Sequence, residues 1–426
     1  MKKRDKMPSK YTPGKHFLQI PGPSNVPDRI LRAMDFPTID HRGQDFFDLS
    51  KRCLSGMKKI FKTNSHVIIY PASGTGAWEA ALTNTMSTGD TVLMVETGHF
   101  ASLWCKLANR LGILTELIPT DWRRGAVADQ IKDRLIKDKK NKIKAVCVVH
   151  NETSTGCMSN IREVREAIDQ SNHGALLMVD TISSLASSNY CHDAWGVDVT
   201  VAGSQKGLML PPGLSFNAVS ERALSASKSS NIPASYWAWD DHIASNKTGA
   251  FPYTPATNLF FGLNEALEML FEEGIDQVFK RHEKHAKATR LAVQAWGLEV
   301  LCLEPKDHSN TLTAVLLPDG HDADKFREIV LQNYNMSLGN GLSKLSGKVF
   351  RIGHLGDFND LMLIATLGGI EMALGCTKIP HQAGGTLAAM QFLKEKIPKI
   401  FNKGSEYYTS NVFRIADIFS PYTAGF

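Results

Sequence analysis

Between His66 and Val219 the chain alternates short, unbroken apolar runs with segments of helical period. The runs 67–70, 91–95, 114–118, 145–149, 175–179, 197–202 and 214–219 read as strands. Helices are expected between them, one starting near Gly76 and one from about 101 to 111. Continuous apolar runs, unlike alternating ones, indicate strands covered on both faces, as in a mainly parallel sheet flanked by helices. Residues 28–63 carry helical patterns, and 256–295 read as long helices joining two units. From about Leu298 the rhythm restarts with a strand at 311–317, a helix at 323–332, a strand at 349–352 and helices at 359–374 and 380–395. The pattern predicts an α/β fold: a large domain over 17–280 that includes the N-terminal segment, and a smaller C-terminal α/β domain over 281–395. Residues 1–16 are polar and read as a flexible arm. The tail 396–426 is aromatic and polar without a clear period.

Composition narrows the class. At 43% hydrophobic and 21% charged residues, the 426-residue chain can bury a sizeable core and is not globally disordered. The net charge of +5 is spread out. Its one dense cluster, Lys137-Asp138-Lys139-Lys140-Asn141-Lys142, has no interleaved aromatics. It reads as a solvated helix end, not a nucleic-acid surface, and leaves small anionic substrates open. The seven cysteines are odd in number, widely spaced and without a CxxC pair. That predicts reduced thiols in a cytoplasmic setting and no metal site. The basic start Met1-Lys2-Lys3-Arg4 leads into no apolar stretch of the secretory kind, and no window nears about 18 unbroken apolar residues, so no membrane span is expected.

Chemistry gathers at the predicted strand ends. Lys206 stands in Gly203-Ser204-Gln205-Lys206-Gly207 after one apolar run, and Asp180 closes another. A strand-end lysine can form a Schiff base with an aldehyde cofactor, and a neighbouring carboxylate can keep a pyridinium nitrogen protonated. These are the two groups pyridoxal phosphate (PLP) needs most. Pro71-Ala72-Ser73-Gly74-Thr75-Gly76 follows the first strand and opens a helix. Its glycines permit close approach of an anion, and the helix N-terminus offers N–H donors. An ordinary capped turn reads the same way at this stage. Phe100, with His99 second, could stack on a flat cofactor or simply pack. In His150-Asn151-Glu152-Thr153-Ser154-Thr155-Gly156, Thr153 could bond a ring hydroxyl, or the hydroxyl run could only cap the helix starting near Ile161.

Ser-Gly-Thr-Gly, His-Asn-Glu-Thr-Ser-Thr-Gly, Val-Asp-Thr-Ile-Ser-Ser and Gly-Ser-Gln-Lys-Gly, in this order and at these gaps, resemble the class V PLP-dependent aminotransferases. Within that class the chain is similar to the serine–glyoxylate and alanine–glyoxylate group over about residues 17–395. Pro21-Gly22-Pro23-Ser24-Asn25 and Phe350-Arg351-Ile352-Gly353-His354 strengthen the match. The resemblance implies the PLP-dependent transferase fold type I and a homodimer with active sites at the interface. It implies that Lys206 carries the Schiff base, that Asp180 pairs with the ring nitrogen, and that Ser73, Gly74, Thr75 and Gln205 contact the phosphate. Phe100 would stack on the ring and Thr153 face its hydroxyl. Tyr253 and Thr254 would reach the partner subunit's phosphate. Arg351 would grip the substrate carboxylate, with Asn25 lining the mouth and Arg42 as a second carboxylate site. The implied reaction moves an amino group from a small L-amino acid, serine favoured, to glyoxylate, giving glycine and hydroxypyruvate. Alanine, aspartate or pyridoxamine as donor, or a PLP-dependent lyase or desulfurase, are the alternatives. Arg351 as a structural ion-pair residue and His354 as a packed loop histidine are the plainer readings of those two positions.

Overall fold

The structure, a computed structural model, describes residues 13–394. Most of the N-terminal arm and the whole tail from 396 lie outside the described residues.

A seven-stranded sheet forms the centre. Its order is His66–Tyr70, Ser215–Val219, Val199–Gly203, Leu176–Asp180, Ile143–Val149, Thr91–Glu96 and Leu114–Pro119. Every pairing is parallel except those of Ser215–Val219, which runs antiparallel to both neighbours. Successive residues feed opposite cores, as the two-residue period of a strand requires. Leu93 and Val95 join one core with Phe46, Leu49, Met57 and Phe260, while Val92 and Met94 join the other with Trp78 and Trp104. Both faces of the inner strands are therefore apolar, which is why they appear in sequence as near-continuous runs; the edge strand Leu114–Pro119, covered by one neighbour only, is instead largely exposed and carries Thr115 and Glu116. Each fully buried side chain of this size contributes about 1.5–3 kcal/mol.

The helix Gln44–Phe61 covers the first face. Phe46, Leu49, Cys53, Met57 and Ile60 recur at helical spacing on its buried side, and Lys62 ends it in a left-handed conformation with φ of 54°. Thr257–Glu273 packs beside it at Gly56, where an added Cβ would come within 2.7 Å of Leu267. The helices Gly74–Thr85 and His99–Arg110 cover the second face.

A second sheet has the order Phe17–Gln19, Met336–Asn340, Val349–Gly353, Leu312–Leu316 and Glu299–Val300. Ala323–Tyr334, Asp360–Gly375, Gly385–Lys394 and the C-terminal half of Ile275–Ala295 bury it. Here the pattern gave two strands where the structure has five. Met336-Ser337-Leu338-Gly339-Asn340 is too short and too polar to stand out. Phe17–Gln19 pairs in parallel with Met336–Asn340, so the N-terminal segment begins in the smaller unit and not in the larger. It then crosses over, and Ser24 N–H donates to the Gln205 carbonyl at 3.0 Å. That crossing lays Pro21 and Gly22 against Lys206.

Candidate active site

Three parallel strands end together. Ile143–Val149 runs into the 150–156 loop, Leu176–Asp180 ends on its aspartate, and Val199–Gly203 leads into Lys206. Carboxyl ends of adjacent parallel strands are where an open α/β sheet holds its ligand.

Lys206 is only 8% exposed. Its Nζ donates to the Pro21 carbonyl at 2.7 Å. Burial pulls its pKa down to about 8, the nearby Arg351 cation adds to this, and Asp180 opposes it. The Ser24 hydroxyl donates to the Lys206 carbonyl at 2.9 Å and fixes the loop from above. Gly22 has φ of 111° and faces the lysine so closely that a Cβ there would collide with its Cδ, Cε and Nζ. Only glycine fits that position.

Asp180 is 3% exposed. Burial pushes its pKa up to about 7, against the pull of two hydrogen bonds. Ile182 N–H donates to Oδ1 at 2.6 Å and the Trp78 indole N–H to Oδ2 at 3.1 Å. The aspartate does cap its own turn, as a plain strand-ending residue would, but it is also buried opposite a buried lysine.

Arg351 lies in the middle of Val349–Gly353 and is 6% exposed. Among the described residues it has no ion-pair partner, so the structural salt-bridge reading does not hold. Its Nε donates to the Asn340 carbonyl at 2.7 Å and its Nη1 to the Thr153 carbonyl at 2.8 Å. Nη2 makes no hydrogen bond among the described residues. Burial lowers its pKa to about 10, while the Glu152 carboxylate works the other way. Glu152 itself is fully buried and accepts from the Ser154 N–H and hydroxyl and from Ala101 N–H, closing the start of the His99–Arg110 helix. Burial raises its pKa.

The 150–156 loop is not a cap for the next helix. Asn160 caps Ile161–Gln170 through Glu163 N–H, and the loop folds back as a short hairpin, Asn151–Glu152 with Cys157–Met158. Thr153 Oγ1 makes no hydrogen bond among the described residues, which leaves its hydroxyl uncommitted. Phe100 starts the His99–Arg110 helix and packs edge-on to His99 at 5.2 Å. His99 Nδ1 meets Ser343 Oγ at 2.8 Å, linking the two units beside Arg351.

The helix Gly74–Thr85 opens with Ser73 at its N-cap, yet no side chain caps it and its first turn holds no acid. The Gln205 Oε1 is buried without a partner among the described residues. Glycines crowd the same spot: a Cβ on Gly203 would lie 3.0 Å from that oxygen and 3.5 Å from Gly74 N. A helix start with free N–H groups, two nearby hydroxyls and an uncommitted amide suits a phosphate. With a buried amine for an aldehyde and a buried carboxylate for a ring nitrogen, the residues present fit PLP.

Other expected positions lie apart or are differently engaged. The Asn25 amide donates to the Leu18 carbonyl at 3.1 Å. Arg42 is exposed on the turn before Gln44–Phe61, with its backbone N–H on Asp40 Oδ1 at 2.9 Å. Tyr253 is 37% exposed, stacks on Tyr236 at 4.7 Å and donates its hydroxyl to the Ser235 carbonyl. Thr254 is exposed next to it. His354 is fully buried on Thr313 and Asn310, as a packed histidine should be. The resemblance puts the Pro21-Gly22-Pro23 turn at the substrate mouth, but the bond of its Pro21 carbonyl to Lys206, and the Trp78 and Ile182 contacts of Asp180, are not foreseen from the sequence.

A buried lysine and a buried carboxylate at neighbouring strand ends, beside a helix start with no side-chain cap, are a set that suits a PLP-dependent enzyme. The chain belongs to the class-V aminotransferase family, whose pattern it matches over residues 17–351. It is 46% identical over 390 residues to the serine–glyoxylate aminotransferase of Methylorubrum extorquens, covering 90% of this chain and 97% of that protein. The Arabidopsis thaliana serine–glyoxylate aminotransferase is 43% identical over 92% of this chain and 98% of its own length. The L-aspartate–glyoxylate aminotransferase of Paracoccus denitrificans is 40% identical over 87% of this chain and 94% of its own length. The solved pyridoxamine–pyruvate aminotransferase of Mesorhizobium loti superposes with a TM-score of 0.83 at 26% identity, covering 90% of this chain and 98% of that one. No helix among the described residues is long and apolar enough to cross a membrane.

Proposed function

We propose that this enzyme moves the amino group of a small L-amino acid, serine foremost, to glyoxylate, yielding hydroxypyruvate and glycine. The observation that carries the reading is the buried Lys206 amine facing Asp180 and Arg351. The 43–46% identity to serine–glyoxylate aminotransferases supports the donor.

PLP, when bound, supplies an electron sink for the charge left at the substrate Cα. Lys206 would tether it, and the free Lys206 amine would be the base that takes the Cα proton and returns it. A pKa near 8 instead of 10.5 leaves far more of the amine neutral at mildly alkaline pH. Asp180, held by Ile182 and Trp78, is the counter-charge to the ring nitrogen. Ser73, Gly74, Thr75 and Gln205 would take the phosphate, Phe100 would back the ring, and Thr153 would meet its hydroxyl. Arg351 is pinned in one plane by Asn340 and Thr153, so its Nη2 edge presents to the substrate carboxylate. Asn25 would line the mouth, and Arg42 would be a second carboxylate site. Tyr253 and Thr254, exposed in one protomer, complete the phosphate site of a second copy in a homodimer. The free thiols suit a cytoplasmic enzyme.

The similarity to an L-aspartate–glyoxylate aminotransferase supports aspartate as a second donor reading. A panel of serine, alanine, aspartate and pyridoxamine against glyoxylate and pyruvate separates them through keto-acid formation. Serine with glyoxylate should give the highest kcat/KM, and K206A should lose about 100-fold or more on every pair. Undiminished turnover by K206A would end the proposal.

A further inference from the structure

We propose that Trp78 is a positioning residue for the ring-nitrogen carboxylate, with its indole N–H holding Asp180 in the orientation and charge state the cofactor requires. This rests on the assignment of Asp180 given above.

The geometry is specific. Trp78 is 1% exposed, and its Nε1 donates to Asp180 Oδ2 at 3.1 Å. Its ring stacks on Trp104 at 5.7 Å with an interplanar angle of 10°. Trp104 belongs to the His99–Arg110 helix, one turn beyond Phe100. The indole is therefore clamped between two helices. It sits one turn past Ser73, Gly74 and Thr75 on the helix whose start offers the phosphate donors. One rigid helix thus sets the spacing between phosphate site and carboxylate, and a rigid stacked ring sets the direction in which the carboxylate points.

The chemistry needs such a donor. Two groups fix Asp180 from the protein side, Ile182 N–H on one oxygen and Trp78 N–H on the other. Both stabilise the ionised form against burial and against the nearby Glu152. An ionised carboxylate is what keeps a pyridinium protonated. Losing one of two donors in a dry site weakens that hold and frees the side chain to turn.

W78F removes the donor and keeps a ring on Trp104. W104F alters the same stack without touching Asp180 and serves as the packing control. Each is loaded with PLP, and two quantities are read: the PLP dissociation constant and the pH midpoint of the bound cofactor's visible absorption. W78F should bind PLP about tenfold more weakly, in line with the loss of one charge-assisted hydrogen bond. It should also displace the absorption midpoint. W104F should leave both near wild type. In a D180N background, W78F should add little further loss, because the carboxylate it serves is gone. Wild-type values in W78F, equal changes in W104F, or a full additional loss in D180N would each overturn the proposal. D180N that leaves the absorption midpoint unmoved would instead remove the cofactor assignment itself, a different failure.

Discussion

Asp180 should make the cofactor-free protein less stable than its amide counterpart, and increasingly so as pH rises. The side chain is enclosed by the sheet end, Trp78 and Ile182. Burial lifts its pKa from the ordinary 3.8 to about 7. For an acid with a raised folded-state pKa, the folded form holds the proton longer than the unfolded form. Stability falls as pH climbs from about 4 to about 7 and is level above that. At about 1.36 kcal/mol per pH unit, the full span is about 4 kcal/mol. D180N removes this dependence and forfeits one acceptor, costing about 1 kcal/mol throughout. For a chain of this length, 4 kcal/mol corresponds to about 4 °C in Tm. Melting of cofactor-free wild type and D180N across pH 4.5 to 8 therefore has a defined outcome. The D180N advantage should widen with pH up to about 7 and then hold. PLP affinity should move the opposite way, weakening in D180N. A Tm difference that stays flat across the range, or narrows with rising pH, would refute the burial argument.

Two further substitutions probe the rest of the site. R351A removes the guanidinium edge facing the substrate and strands the Thr153 and Asn340 carbonyls. It should lower kcat/KM for both half-reactions by about 100-fold, mainly through KM, since charge-assisted pairs contribute about 1.5–3 kcal/mol. A loss confined to kcat in steady-state assays would contradict a binding role. G22A places a Cβ against the Lys206 chain at a φ of 111°. It should destabilise the fold by about 1–3 kcal/mol and slow tethering of PLP, followed as the rise of cofactor absorbance. Unchanged tethering would mean that the crossing segment does not position the lysine.

The strand-end chemistry was legible because it depends on short-range pattern. A lysine in a glycine-rich turn after an apolar run, and an aspartate closing another, are placed by their own strands. The sheet's inner strands followed because both their faces are buried, and that prints a near-continuous apolar run, whereas the exposed edge strand Leu114–Pro119 carries Thr115 and Glu116. What stayed hidden depends on pairings between distant segments. Pro21 meets Lys206 only because Phe17–Gln19 is caught by Met336–Asn340 in the other sheet. The carbonyl that orients Arg351 comes from that same weakly patterned strand. Trp78 reads in sequence as one more apolar helix residue, and nothing local says its N–H will face a carboxylate across the sheet end. The hydroxyl-rich 153–155 run reads in sequence either as a ring contact or as a helix cap, and Asn160 being the cap leaves the first reading of Thr153 open.

The same burial explains why this site is built to be filled. In water an aspartate and a lysine titrate far apart, at 3.8 and 10.5. Here they close to about 7 and about 8. Burial drives both movements, Glu152 pushing further on the aspartate and Arg351 on the lysine. Such a pair gains little from its own attraction, because desolvation has already taken most of it. The unfilled protein thus carries a cost at physiological pH from each group. A ligand that offers the carboxylate a protonated ring nitrogen, and converts the amine into a covalent link, relieves both at once. Whatever binds the folded state and not the unfolded one adds to stability. Cofactor affinity here is therefore drawn partly from strain relieved in the protein, and substitutions that quiet the empty site, D180N first among them, should weaken the filled one.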